Sequence, residues 1–149
     1  MPLQPPPLNA VGEVVPHDHE GIRADDGIIR RISELQVVDD KKIGRRRISS
    51  IALKPSTGPN GGVSVDFQRQ IEEAGLDAKA FVTTPRWIGS IRFDASQLRA
   101  EKLKVGFDPL PDNPYHGEIW GSLTRPQLDK LFRSCHWFVP IENVSIWIG

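Results

Sequence analysis

The chain has 149 residues, 38% of them hydrophobic and 26% charged, which suits one globular domain. Nineteen basic residues balance nineteen acidic ones, so no global field draws the protein to nucleic acid or membrane, and any such binding needs a local patch. The single cysteine, Cys135, excludes an internal disulfide; no signal-like N-terminus is present and no apolar run approaches the ~20 residues that span a bilayer, so the expectation is a cytoplasmic protein.

Residues 1–24 read as a flexible Pro-rich tail. Pro2, Pro5, Pro6 and Pro7 favour an extended polyproline conformation that offers little to pack. Within it, His17-Asp18-His19-Glu20 has the residue types of a metal site, but a mobile tail makes a poor cage, and the segment is read as solvated. No metal or other cofactor is expected.

Residues 25–149 are expected to form one α+β domain with a single mixed or antiparallel sheet and about three helices. Ile28, Ile32 and Leu35 have helical spacing, while Ile29-Arg30-Arg31-Ile32 suits a strand; the segment 28–38 stays open, with a strand favoured near 28–33. Residues 39–44 look like a connection, and 48–53 like a strand. A turn-rich loop covers 55–62. Asp66 has the character of an N-cap for a helix over 67–74, ended by Gly75. A strand is predicted over 87–93, then a helix capped by Asp94 with Gln97 at the capping-box position. Residues 105–107 and 116–120 read as strands flanking a loop. Thr124-Arg125-Pro126-Gln127 is a helix start with a cap, an early proline and a box partner, and the helix runs to about Cys135. Residues 137–139 and 146–148 are apolar, and Trp147 is a candidate contact for a protein partner.

The loop Asp108-Pro-Leu-Pro-Asp-Asn-Pro-Tyr-His116 holds three prolines in nine residues. Proline fixes its own φ and restricts the preceding residue, so Asp112, Asn113 and His116 are presented in few orientations. A site needs such presentation, and so does a tight structural turn. His116 and Glu118, two apart in a strand, share one face and suit proton transfer, or simply a polar surface stripe. Cys135 beside His136 lacks the geometry of a nucleophile and its base, and reads as a buried thiol.

Lys41, Lys42, Arg45, Arg46 and Arg47 form the dense basic run; a solvated turn accounts for it, since Asp39 and Asp40 dilute its field. Arg47 and Ser49 are more interesting because they share a strand face. With Arg30 and Arg31 they suit a cationic pocket lined by a hydroxyl, the guanidinium fork matching phosphate.

Four blocks, Ile29-Arg30-Arg31-Ile32, Arg47-Ile48-Ser49-Ser50, Ser64-Val65-Asp66 and 108–116, resemble those of a diffuse group of small uncharacterised bacterial proteins. The likeness spans about residues 28–134 and implies a bacterial, intracellular setting without naming an activity. Two readings follow from the residues. In one, Arg30, Arg31 and Arg47 hold the phosphate of a nucleotide or RNA, Ser49 positions it, and His116 with Glu118 moves a proton. In the other, the protein is a non-catalytic interaction module that binds a partner through its tail or the Trp147 end. Whether the chain is an enzyme stays open at this point.

Overall fold

The ambiguous segment Gly27–Ile32 is a strand, β1, and it lies inside the main sheet. Ile28 and Ile32 point to one face and Ile29 to the other, and all three are fully buried. A strand covered on both faces shows a run of apolar residues rather than alternation, which explains its ambiguous spacing. The computed structural model describes residues 3–146, and Trp147 lies outside the described residues.

The further strands of the main sheet are β4 (Val63–Phe67), β5 (Gly89–Asp94), β6 (Lys104–Phe107), β7 (His116–Trp120) and β8 (His136–Val139), numbered after the hairpin strands β2 (Val37–Asp40) and β3 (Arg45–Ile48). Six strands run in the order β6-β7-β4-β1-β5-β8, every neighbour antiparallel. The helices are α1 (Gln68–Glu73), α2 (Ala78–Thr83), α3 (Ala95–Ala100) and α4 (Arg125–Ser134). One face of the sheet carries the larger core, where Val65, Phe93 and Val105 meet Leu98 of α3 and Leu131 of α4. On the other face, Ile29 meets Ile71 of α1 and Val82 of α2. The α+β class therefore holds. A second, three-stranded sheet adds to the one expected: β2 and β3 form a hairpin, and the short β9 (Val144–Ser145) lies parallel to β3. Among the described residues, no helix is long and apolar enough to cross a membrane.

Capping chemistry is where the sequence reads most directly into structure. Thr124 and Gln127 complete the capping box of α4, as do Asp94 and Gln97 for α3. Gly75 has φ +80°, the left-handed conformation expected after a helix end. Elsewhere competing bonds prevail. The strand expected over 48–53 stops at Ile48, because the Ser49 hydroxyl accepts from the Ile51 N–H and starts a 3-10 turn over Ser50–Leu53. Asp66 caps nothing; its carboxylate is taken by Arg31, and Phe67 stands at the N-cap instead. α2, opened by an Asp77 cap, lies in a stretch with no predicted element.

The segment read as a tail lies against the domain. Residues 3–24 contain little regular structure, yet His19 and Ile22 are buried and Leu3 packs on the larger core. The physical reason is β6, an edge strand whose outward polar groups this segment satisfies.

Candidate functional site

Strands β1 and β4 pair at only two positions, Ile28 with Phe67 and Ile29 with Asp66. Beyond them Arg30 supplies hydrogen bonds from its side chain. Its Nε donates to the Ala52 carbonyl at 2.7 Å and its Nη1 to the Ser64 carbonyl at 2.9 Å. Arg31, next in the strand, points to the opposite face. There its Nε and Nη2 reach the two oxygens of Asp66 at 2.8 and 3.3 Å, and its guanidinium stands 5.4 Å from the centre of the Phe81 ring.

Asp66 also anchors the proline loop. Asn113 Nδ2 donates to Asp66 Oδ1 at 2.7 Å, while Asn113 Oδ1 accepts from the Tyr115 N–H. Leu110 and Asn113 exchange both backbone hydrogen bonds at 3.0 Å, which closes the loop into a tight turn. The loop is thus fixed at its middle by a buried carboxylate. His116 begins β7 directly opposite Asp66, is buried, and binds the Asp108 carbonyl through Nδ1 at 2.7 Å. A carbonyl only accepts, so Nδ1 carries a hydrogen, and in the neutral ring the lone pair is then on Nε2. Among the described residues, Nε2 has no hydrogen-bond partner.

These residues border a cleft of about 630 Å³. Arg30, Arg31, Asp66, Asn113 and His116 supply its polar lining, and Phe81, Leu76, Trp87, Pro85 and Leu110 its apolar lining. Asp112 and Asp77 also line it but are exposed to solvent, and Asp77 is engaged as the α2 cap. The less exposed groups carry two guanidinium charges against the single carboxylate of Asp66. Burial pulls the Arg30 pKa down, with Asp66 opposing, but a guanidinium stays protonated in any protein setting. Among the described residues, no carboxylate lies within ion-pair distance of Arg30. Its hydrogen bonds go to two backbone carbonyls, and Asp66 acts on its charge only through space.

Five of the eight residues singled out in the sequence therefore meet here: Arg30, Arg31, Asp112, Asn113 and His116. The other three do not. Arg47 pairs with Asp40 at 2.8 Å in the small sheet, and Ser49 is spent on its own 3-10 turn, so neither joins a pocket with Arg30 and Arg31. Glu118 stands on β7 opposite Ser64, outside the cleft lining. Burial, then the neighbouring Asp108, pushes its carboxyl up to about 8, so it is largely protonated at neutral pH.

Three lining residues escaped sequence reasoning. Asp66 looked sufficient as a helix cap, and the strand alternation that aims it at the Arg31 face was the available signal. Phe81 and Trp87 lie on α2 and just before β5, and nothing local links them to Arg31 or the proline loop. Among the described residues, no three His, Cys, Asp or Glu side chains gather as a metal site. No protein-family model, no curated protein and no solved structure matches the chain.

Proposed function

We propose that the cleft binds a phosphate-bearing ligand of the nucleotide class, free or as a unit of RNA. The observation that carries this reading is Arg30, a guanidinium with two carbonyl partners and no carboxylate, lining a concave site. A desolvated cation with no carboxylate in direct contact favours an anion, and the planar fork suits phosphate. Trp87 and Phe81 offer flat apolar surface for a base, and Asn113 and Asp66 supply a polar edge beside it. Arg31 is neutralised by Asp66 and serves mainly to set the shape of the site.

In the catalytic form of this reading, the Nε2 lone pair of His116 accepts a proton from a ligand hydroxyl, with the Asp108 carbonyl holding the ring in the required tautomer. The protein-module reading has less support, since the N-terminal segment it invoked is docked on the domain.

Calorimetric titration with ribonucleoside monophosphates, a short single-stranded RNA and inorganic phosphate tests the proposal. It expects binding that weakens as salt rises and that Trp87→Ala reduces. If none of these probes binds, even at millimolar concentration, the phosphate reading is wrong. Should turnover of the RNA be detected, His116→Gln is expected to remove it with the fold intact; full turnover in that variant would remove the acid–base role.

A further inference from the structure

Away from the cleft, the segment before β1 solves a different problem. β6 is an edge strand, and its outward amides and carbonyls are a template for another strand unless covered. Here three consecutive residues cover them. The His19 N–H donates to the Val105 carbonyl at 2.9 Å. Asp18 Oδ1 accepts from the Val105 N–H at 3.0 Å, and His17 Nε2 accepts from the Phe107 N–H at 3.1 Å.

The remaining ring nitrogens are engaged as well. His17 Nδ1 binds the Val15 carbonyl at 2.8 Å. His19 Nε2 binds the Gln4 carbonyl at 2.8 Å, and its Nδ1 accepts from the Gly21 N–H at 3.0 Å. A backbone N–H can only donate and a carbonyl only accept, so both tautomers are dictated. His17 carries its hydrogen on Nδ1 and His19 on Nε2. Each ring is neutral, and a second proton on either would set one N–H against another.

We propose that residues 3–19 form a proton-released latch over the β6 edge, closed while His17 and His19 are neutral and opened when they are protonated. Opening bares the amides of Val105 and Phe107, an edge with which an extended segment can pair.

The surrounding charges fit this sense. Asp18 is the nearest carboxylate, but Arg99 of α3 holds it at 2.9 Å and also binds the His19 carbonyl. Arg69 of α1 donates to the Gly21 carbonyl. Glu20 and Lys104 are exposed. On β7, Glu118 stands opposite Gly106, over which His17 lies, and its carboxyl is largely protonated at neutral pH. Trp120 and Phe107 present rings rather than charges, to His17 at 5.3 Å and to His19 at 5.8 Å. The two imidazoles lie 6.0 Å apart, so charging both adds repulsion.

Hydrogen exchange on the full chain at about pH 7.5 and about pH 5, corrected for intrinsic rates, tests the latch. The amides of Val105, Phe107 and Gly21 are expected to lose at least about tenfold in protection at the lower pH, while those of β1 keep theirs. A His17→Gln/His19→Gln variant is expected to show no such pH response. Equal protection at both pH values, or the same response in the double variant, would overturn the proposal. If that variant does not fold, imidazole nitrogen shifts of the unaltered protein at about pH 7.5 decide: a hydrogen there on Nε2 of His17 or on Nδ1 of His19 would contradict it.

Discussion

The cleft and the β2–β3 hairpin both hold arginines, and they use them in opposite ways. In the hairpin the arginines are numerous and balanced: Arg46 meets Glu34 at 2.6 Å, Arg47 meets Asp40 at 2.8 Å, and the turn residues are exposed. Water and neighbouring carboxylates already satisfy those charges, so an anionic ligand gains little there. In the cleft only two arginines are present, but the site is partly desolvated and one of them lacks a carboxylate. On the proposed reading, the density of positive charge in a sequence is a poor guide to anion binding. Burial and pairing decide it.

Substitutions can sharpen that contrast. The largest loss is expected from Asp66→Ala, which strips a buried carboxylate from both Arg31 and Asn113 and leaves a desolvated guanidinium uncompensated. Denaturant unfolding should show a cost of about 3 kcal/mol or more. Arg30→Met should follow, at about 2 kcal/mol, because the carbonyls of Ala52 and Ser64 lose their side-chain donor. It should also remove anion binding; binding that persisted would make Arg30 a merely structural arginine.

Glu118→Gln is expected to act with the opposite sign. The folded state holds this carboxyl at about 8 against an ordinary value of 4.5, so the native protein keeps a proton that the unfolded chain has released. Stability from this group is complete below about pH 4.5 and is lost as pH rises towards 8. Glutamine does not titrate, so the variant should gain on the native protein across that range. The gain should level off near about 1 kcal/mol once solvent screening at this half-buried site is allowed for. A difference that stays constant from acid to alkaline pH would refute the protonated carboxyl. The smallest effect is expected from Arg46→Ala in the hairpin, within about 0.5 kcal/mol by thermal or denaturant unfolding, because both partners of its ion pair are well exposed.

Much of the site was legible in the sequence, and the failures have definite causes. Three of the four polar blocks, 29–32, 64–66 and 108–116, contribute cleft residues, whereas Arg47 and Ser49 of the fourth do not. The proline loop was readable because its rigidity is local, fixed by residues next to one another. Helix α4 was readable for the same reason, its cap and box being encoded within four positions. Arg47 and Ser49 failed because their placement depends on bonds made elsewhere. A carboxylate seven residues upstream takes the guanidinium, and the Ser49 hydroxyl bends the chain before a strand can continue. Asp66 was misread because a cap and an ion-pair partner look alike until the register of β1 against β4 is known. The histidines of the N-terminal segment, read as solvated, were misplaced for a related reason. Only the open edge of β6 gives them a role, and that edge exists only in the assembled sheet.

The most direct test of the central claim is an amide and imidazole NMR titration of the full chain with a ribonucleoside monophosphate. Shifts concentrated at Arg30, Phe81, Trp87, Asn113 and the His116 ring, with residues 39–47 unmoved, are the predicted result. Shifts confined to the basic hairpin, or none at saturating ligand, would contradict it.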